Sequence, residues 1–223
     1  MKKYSYALIS GFLFLAFIVF TIIVKTVDVT FISTNGTYLG LSHFNYEVGN
    51  YVISLNKMKD MKVMSDILLY ISLAFCLVFV AVGIIQLIKG KSLKAVDKRI
   101  YLLGACYVLV VLIYLIFEIA KINYSPISDK GFKASYPSTH VFVGSTLLLV
   151  NTYTAVKMLK IGSNLFKAII YTSSAVICLL IAFTRLLSLY HWASDIIASV
   201  MLILAVYFIF LFAYKRIEDK EQA

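Results

Sequence analysis

The sequence predicts an all-α fold, a polytopic membrane protein with a bundle of six transmembrane helices. Three observations support this prediction: 61% of the 223 residues are hydrophobic, only 14% are charged, and the mean hydropathy is +0.91. Soluble domains are rarely so apolar. A run of roughly 20 apolar residues crosses the hydrocarbon core of a bilayer. Six such runs lie at about 7–26, 67–88, 100–120, 137–156, 168–187 and 193–214.

The first run follows a basic start, Met-Lys-Lys, as a secretion signal would. It is too long for the apolar h-region of a signal peptide and lacks a clear cleavage site, so we take it as an uncleaved membrane helix. The segment after it, about 27–65, is expected to form an outer loop with short interfacial pieces. Within it, residues 51–55 are too short to span, and they either cover a site at the membrane surface or merely connect. Without internal repeats, residues 1–223 are predicted to form one domain.

The other five runs alternate in direction, and the basic residues orient them. Most of the 21 Lys and Arg residues lie at the termini and in the loops after the second and fourth runs. Because cytoplasmic loops carry the excess of basic residues, both termini are predicted to be cytoplasmic. The net charge of +10 is then explained by contact with membrane lipids that carry anionic headgroups, without nucleic acid. The compact chain with its short charged tail suits a bacterial plasma membrane.

Ionisable side chains interrupt the apolar sequence around the last turn, at Arg185, His191 and Asp195. Charged groups at membrane depth are costly, so such residues indicate a functional site. The spacing of four places His191 and Asp195 on one face of the sixth helix, where Asp195 orients the imidazole ring. The free ring nitrogen then suits nucleophilic attack on phosphorus. Arg185 offers a fork of donors to phosphate oxygens, or else it only reaches towards lipid headgroups.

A second polar group, Pro137-Ser138-Thr139-His140, marks the start of the fourth helix. Pro137 suits the first turn, and the unpaired N–H groups of a helix start attract phosphate. We expect Ser138 and Thr139 to offer N–H groups and hydroxyls to the phosphate oxygens, and His140 to protonate the leaving alkoxide. The predicted topology puts both polar groups on the outer face. Taken alone, the tetrapeptide fits a capping Ser beside an interfacial His equally well.

These two motifs, Pro-Ser-Thr-His at 137–140 and Arg-x5-His-x3-Asp at 185–195, resemble those of the type 2 phosphatidic acid phosphatase family. The family's own patterns are Pro-Ser-Gly-His and Ser-Arg-x5-His-x3-Asp. Thr139 therefore replaces a Gly, and Thr184 replaces a Ser. The resemblance covers roughly the third to sixth predicted helices.

The resemblance implies a role for each matching residue. His191 corresponds to the nucleophile, Asp195 to its partner and His140 to the general acid. Arg185 and Ser138 correspond to phosphate-binding residues. The family also implies a six-helix, metal-independent enzyme that needs no cofactor. Its substrates are lipid phosphates such as phosphatidate, phosphatidylglycerophosphate or a polyprenyl diphosphate.

The family has a further motif, Lys-x6-Arg-Pro, from which this sequence departs. With Pro126 in the place of the motif's Pro, Ser125 stands where Arg belongs and Glu118 where Lys belongs. Both cations are missing, and each charge-assisted hydrogen bond to a phosphate is worth roughly 1.5–3 kcal/mol. Lys121 is the favoured replacement because it ends the third helix, and the alternative is that the lysines of this region only solvate a short loop. The other nearby lysines are Lys130 and Lys133.

Other functions remain as alternatives. A catalytically silent binder of lipid phosphates would keep the same residues, whereas a transporter would carry charges at the midplane of several helices. A metal site at His191 and Asp195, with His140 or His43 as third ligand, is a weaker interpretation because a stable site usually needs a fuller set of ligands. The cysteines fall inside predicted spans and are interpreted as small apolar residues. They are Cys76, Cys106 and Cys178.

Overall fold

The computed structural model describes residues 2–32, 37–126 and 133–222, which form a helical bundle with one small hairpin. The α-helices among them are α1 (Lys2–Thr26), α2 (Ser42–Ser54), α3 (Met58–Gly90), α4 (Lys98–Ala120), α5 (Thr139–Met158), α6 (Asn164–Leu187) and α7 (Ala193–Gln222). Strands β1 (Thr30–Ile32) and β2 (Thr37–Leu39) pair antiparallel between α1 and α2. Every one of these helices except α2 is long and apolar enough to cross a membrane.

The six membrane-spanning helices match the six predicted spans, which confirms the fold class. The start of α3 differs most from the prediction, since the helix begins at Met58 and not near residue 67. Its first turns carry Lys59, Asp60 and Lys62, and these charges end the apolar run without ending the helix. The predicted outer loop is correspondingly shorter. α3 therefore brings charged side chains to the end of the bundle where α4 and α6 finish.

α5 lies at the centre of the bundle and contacts α3, α4, α6 and α7. Its most apolar stretch is 67% buried, with a mean hydropathy of 1.3 that is the lowest of the six spans. Nδ2 of Asn151 donates to Cys76 Sγ at 3.2 Å, and its Oδ1 accepts from the Tyr107 hydroxyl. The hydroxyls of Thr152 and Ser174 lie 3.2 Å apart and join α5 to α6. Hydrogen bonds of this kind hold membrane helices together.

α1 packs along α7, and the residue after α1 is tied to the segment after the hairpin, since the Leu41 N–H donates to the Val27 carbonyl oxygen at 3.0 Å. The Ser10 hydroxyl donates to the carbonyl oxygen of Ala205 at 2.8 Å, which ties the two helices together. Gly40 follows β2 and lies so close to α1 that a Cβ there would come within 1.4 Å of the Val24 carbonyl oxygen. Only glycine fits this approach.

α2 comes from the predicted outer loop and packs on the start of α7, so it is more than a connector. Asn45 is fully buried, and its Oδ1 accepts the N–H of Ser194 at 3.0 Å. The rings of Tyr46 and Trp192 meet edge to face with centroids 5.6 Å apart. The first N–H groups of a helix have no partner within it. Asn45 therefore caps α7 from a distant part of the chain.

Candidate active site

One cavity of about 590 Å³ lies where α3 and α5 begin and where α4 and α6 end. Four predicted residues, Thr139, His140, Arg185 and His191, line this histidine cavity, so the structure brings both polar motifs together. The other lining residues come from α3, α4 and the segments before α5 and α7. They are Lys62, Asp66, Tyr70, Tyr114, Glu118, Ser125, Lys133, Ala134 and Tyr190.

His191 lies in the turn between α6 and α7 and is only 5% exposed. Leu189 reverses the chain after α6 with a φ of 55°, a conformation that is uncommon for a residue with a bulky side chain and that often marks functional sites. The Nδ1 atom of His191 lies 2.7 Å from the carbonyl oxygen of Ser135. Because a carbonyl only accepts hydrogen bonds, Nδ1 carries the ring proton. Nε2 then keeps a free lone pair.

Asp195 is fully buried beside His191, but it does not hold the ring as the sequence analysis expected. Its carboxylate accepts the backbone N–H of Trp192 at 3.0 Å and Nδ2 of Asn123 at 3.1 Å. His191 Nδ1 is farther away, at 3.7 Å. His191 also precedes α7, so the two side chains do not share a helix face. The Ser135 carbonyl orients the ring, and Asp195 acts on it through its charge.

The environment of His191 favours the neutral ring. Burial lowers the pKa of the imidazole below its ordinary value, because the charged form loses its hydration. The Asp195 carboxylate and the Ser135 carbonyl act in the opposite direction, while the positive charge of Arg185 lowers the pKa further. The neutral ring is the form that attacks an electrophile.

Arg185 is the buried cation of the cavity, with 6% of its surface exposed. Its Nη1 lies 3.6 Å from Asp66 Oδ1, and its Cζ lies 5.1 Å from the centroid of the Tyr190 ring. Neither Nε nor Nη1 has a hydrogen-bond partner among the described residues. Buried donors are nearly always satisfied in native proteins. Unused N–H groups beside a cavity therefore indicate an anion-binding site.

Asp66 on α3 meets two groups of the cavity through a single oxygen. Its Oδ1 lies 3.2 Å from His140 Nε2 and 3.6 Å from Arg185 Nη1. A carboxylate oxygen thus lies where donors from α5 and α6 converge. Such a position suits an oxygen of a bound phosphate, because both anions accept from the same kinds of donor.

The start of α5 differs from the prediction in its details. The helix begins at Thr139 with Ser138 as N-cap residue, so Pro137 precedes the helix and does not fill its first turn. The Ser138 N–H donates to the carbonyl oxygen of Asp195 at 3.3 Å, and the residue is fully buried. This N–H is therefore used within the protein. The Ser138 hydroxyl has no partner within the described ranges, and Thr139 lines the cavity.

Lys121, the favoured replacement for the missing cations of the first motif, does not line the histidine cavity. Lys121 ends α4 in a left-handed conformation, with a φ of 47°, and it lines a different cavity. Lys133 lines the histidine cavity, and so do Glu118 and Ser125 at the two altered motif positions. Lys130 lies outside the described residues.

Lys62 and Asp66 are charged residues of the cavity that were not predicted from the sequence. Lys62 Nζ lies 5.1 Å from the centroid of the Tyr190 ring, so Lys62 and Arg185 lie against the same ring. In the part of the chain that the structure describes, Lys62 forms no ion pair. The signal was their spacing, because residues four apart share one helix face. This spacing is informative only if the helix is taken to begin before the apolar run, at the charged residues that precede it.

The geometry gives no support to the metal-site interpretation. Residues 2–32, 37–126 and 133–222 contain no group of three or more His, Cys, Asp or Glu side chains that could hold a metal ion. His43, one of the two suggested third ligands, lies in the first turn of α2, where its N–H donates to Asp28 Oδ2 at 2.7 Å.

Comparison with known proteins places both motifs within one family. The family model described as the PAP2 superfamily matches residues 68–218. The fold is similar to the crystal structure of a transmembrane PAP2-type phosphatidylglycerolphosphate phosphatase from Bacillus subtilis, with a TM-score of 0.66 and 17% identity. The similarity covers 93% of this chain and 96% of that chain. No curated protein matches the sequence. Because the family match spans well over half of the chain and includes both polar motifs, the protein belongs to the PAP2 superfamily.

Proposed function

We propose that the protein hydrolyses a lipid phosphate, either a monoester or a diphosphate, through a phosphohistidine at His191. The observation that carries this proposal is the position of Asp66 Oδ1, 3.2 Å from His140 Nε2 and 3.6 Å from Arg185 Nη1. A phosphoryl oxygen bound there would bring phosphorus to the cavity wall that His191 forms. Membership of the PAP2 superfamily and the likeness to a membrane phosphatase support the same reaction class.

In the first step, Nε2 of His191 forms a bond to phosphorus while the bond from phosphorus to the leaving oxygen breaks. The hydrogen bond to Ser135 keeps the proton on Nδ1, so Nε2 has the lone pair for attack. Asp195, 3.7 Å away, stabilises the positive charge that the ring gains. His140 gives its proton to the leaving oxygen, and Arg185 binds the phosphoryl oxygens.

In the second step, water attacks the phosphohistidine. His140 accepts a proton from the water, the bond between Nε2 and phosphorus breaks, and inorganic phosphate leaves. Imidazole and guanidinium groups supply every role in this sequence. We therefore propose a metal-independent enzyme, whose turnover persists in the presence of a chelator.

Lys62 takes the place of the cations that the first motif lacks. Glu118 and Ser125 line the cavity at the motif positions but bring no positive charge. Lys62 reaches the same cavity from α3 and lies with Arg185 against the Tyr190 ring. A second cation beside Arg185 would stabilise the negative charge that the phosphoryl oxygens carry in the transition state.

The site is proposed to face the outside of a bacterial plasma membrane. The cavity lies at the end of the bundle where α1 finishes and α3 begins, opposite the short basic loops after α3 and α5. Those loops are the segments that the positive-inside pattern assigns to the cytoplasm. Both termini are then cytoplasmic, and the lipid phosphate enters from the outer leaflet.

A catalytically silent lipid-phosphate binder is the second candidate. It is favoured by one observation, the carboxylate of Glu118 in the cavity where the family's motif has a lysine. A carboxylate there opposes the negative charge that the phosphoryl oxygens carry in the transition state, whereas Arg185 and Lys62 can still bind the phosphate of an unreacted lipid. The two candidates differ in whether phosphate is released.

Phosphate release from a panel of lipids tests the proposal. Purified wild type and His191→Ala would be assayed side by side with phosphatidate, phosphatidylglycerophosphate and a polyprenyl diphosphate, with and without chelator. We expect wild type to release phosphate from at least one lipid in both conditions, and His191→Ala to release none. His43→Ala is the control, because His43 lies outside the cavity. Binding of a lipid without any release of phosphate would favour the silent binder and contradict the proposal of an enzyme.

A further inference from the structure

A second cavity, of about 380 Å³, lies at the same end of the bundle as the histidine cavity and shares no lining residue with it. This lateral cavity is formed by the C-terminal ends of α1 and α4 and by the hairpin between α1 and α2. Its walls include Lys25 from α1, Lys121 after α4 and Thr37 from β2. No acidic residue lines it among the described residues.

Three side chains of the lateral cavity, Lys25, Lys121 and Thr37, have polar groups available for a ligand. Neither Lys25 nor Lys121 forms an ion pair within the described chain. Thr37 is 8% exposed, and its buried Oγ1 has no hydrogen-bond partner among the described residues. Native proteins rarely leave such a hydroxyl unsatisfied. Two cations and one unused donor in a single cavity indicate an anionic ligand with several acceptor oxygens.

An apolar groove of about 290 Å³ lies beside the lateral cavity, between α1 and α4. Ile18 and Ile22 form one wall, Ile113 and Ile116 form the other, and Leu202 of α7 forms the floor. The two helices contact each other there through the rings of Phe17 and Phe117, which meet edge to face with centroids 5.5 Å apart. The groove is therefore an apolar channel along the membrane-spanning part of the bundle.

The groove and the lateral cavity follow each other along both helices. On α1 the lining passes from Ile22 in the groove to Lys25 in the cavity, and on α4 it passes from Phe117 to Lys121. Each step is about one helical turn. The combined site is thus apolar within the membrane and basic at its surface, which is the polarity of a phospholipid with a negatively charged headgroup.

We propose that the lateral cavity and the apolar groove together bind one anionic phospholipid, with its phosphate at Lys25 and Lys121 and an acyl chain along the groove. Basic pockets between membrane helices bind anionic headgroups, and the Thr37 hydroxyl donates to a phosphate oxygen. A neutral lipid would leave the lysines without a counter-charge. A soluble anion would leave the groove unused.

This lipid is bound and not hydrolysed. None of the lateral cavity's lining residues is a histidine, so the site has no counterpart of His191 or His140. Its wall is nevertheless tied to the active site, because Asn123 lies between the lining residues Ile122 and Tyr124 and donates to Asp195 at 3.1 Å. The bound lipid therefore lies next to the segment that holds the catalytic carboxylate.

Native mass spectrometry of the detergent-solubilised protein, titrated with dioleoylphosphatidylglycerol or dioleoylphosphatidylcholine, tests this proposal. We expect wild type to retain one phosphatidylglycerol more tightly than phosphatidylcholine. The variant Lys25→Gln with Lys121→Gln should bind phosphatidylglycerol about tenfold or more weakly, since each surface lysine favours an anionic lipid. The control, Lys57→Gln with Lys59→Gln, removes two exposed lysines from the same end of the bundle and should change the affinity less than about twofold.

Two further variants separate the lateral site from a general loss of structure. Thr37→Val should weaken phosphatidylglycerol binding without lowering the melting temperature of the lipid-free protein, because the hydroxyl has no partner to lose. Ile116→Trp, which fills the groove, should weaken binding of both lipids. Equal affinity of the double-lysine variant and its control would overturn the proposal. The proposal would also be overturned if Arg185→Gln abolished phosphatidylglycerol binding while the double-lysine variant still bound this lipid. That result would place the lipid in the histidine cavity.

Discussion

The Nδ1–H group of His191 donates to the carbonyl oxygen of Ser135 across 2.7 Å. Ser135 lies just before the motif that contains His140, so one short segment of the chain both orients the proposed nucleophile and leads to the proposed acid. A side-chain partner would add rotamer freedom to this contact. A backbone carbonyl has little conformational freedom, so it fixes the tautomer and the orientation of the ring, and this preorganises the nucleophile.

The variant His191→Asn tests the catalytic role of His191 separately from its hydrogen bond to Ser135. The amide N–H of Asn can take over the hydrogen bond to Ser135, but the residue has no Nε2. We expect phosphate release to fall by at least about 10⁴-fold, while the melting temperature in detergent stays close to that of wild type. His43→Asn serves as control. Residual release above that level would show that His191 is not the nucleophile.

Asp66→Asn tests whether this carboxylate occupies the phosphate position in the resting protein. Removing the negative charge beside His140 and Arg185 should strengthen competitive inhibition by inorganic phosphate by about threefold or more, because two anions no longer compete. The kcat should fall, since His140 loses the carboxylate that orients its ring. Asp60→Asn, on the exposed side of the same helix, should change neither value. Weaker phosphate inhibition in Asp66→Asn would contradict the assignment.

Lys62→Gln measures the contribution of the cation from α3. We expect kcat/KM for the lipid phosphate to fall about 10- to 100-fold, because a charge-assisted hydrogen bond of roughly 1.5–3 kcal/mol is lost. Lys59→Gln removes an exposed lysine from the preceding turn and should be nearly neutral. Similar kinetics for the two variants would mean that another residue supplies the charge.

Ser125→Arg restores a cation at the motif position where the family has one. Ser125 lines the histidine cavity, and its hydroxyl donates to the Tyr190 carbonyl at 2.9 Å. In the Lys62→Gln background, Ser125→Arg should recover about tenfold of the lost kcat/KM, because two residues that serve one function are not additive. Ser125→Met controls for side-chain size. No recovery would indicate that Lys62 does not substitute for the motif's cations.

The pH dependence of stability follows from the buried His191. Burial lowers its pKa in the folded protein, whereas the unfolded chain has the ordinary value of about 6.5. Below pH 6.5 the unfolded state binds a proton at this ring and the folded state does not. The free energy of unfolding therefore falls by up to about 1.4 kcal/mol per pH unit until the pH reaches the pKa of His191 in the folded protein. From pH 7.5 to 5.0 the melting temperature of wild type should therefore fall more than that of His191→Asn. Parallel curves would contradict a buried neutral ring.

The sequence was sufficient for the six spans and for the two motifs that meet in the cavity. Long apolar runs have few alternatives in a bilayer, and the ends of alternating helices bring His140 and His191 to one face. The start of α3 was not predicted, because charged residues end an apolar run without ending a helix. For the same reason Lys62 and Asp66 were not recognised as residues of the site.

The hydrogen-bond partners of Asp195 could not be predicted from the sequence. The four-residue spacing to His191 suggested a shared helix face, but α7 begins after His191, and Asp195 accepts the N–H of Trp192 at the helix start. Asn45 and Asn123 reach the same region from distant segments. Contacts between residues so far apart in the chain leave no periodic signal, so they cannot be predicted from one sequence.

The polar interior of α5 has a consequence for how the chain enters the bilayer. With a mean hydropathy of 1.3, α5 has the weakest insertion signal of the six spans, and 67% of its most apolar stretch is covered by other helices. A segment that exposes Asn and Thr side chains to lipid partitions poorly by itself. Stable integration of α5 is therefore expected to depend on helices already in the membrane, so biogenesis and tertiary assembly are one coupled process in this protein.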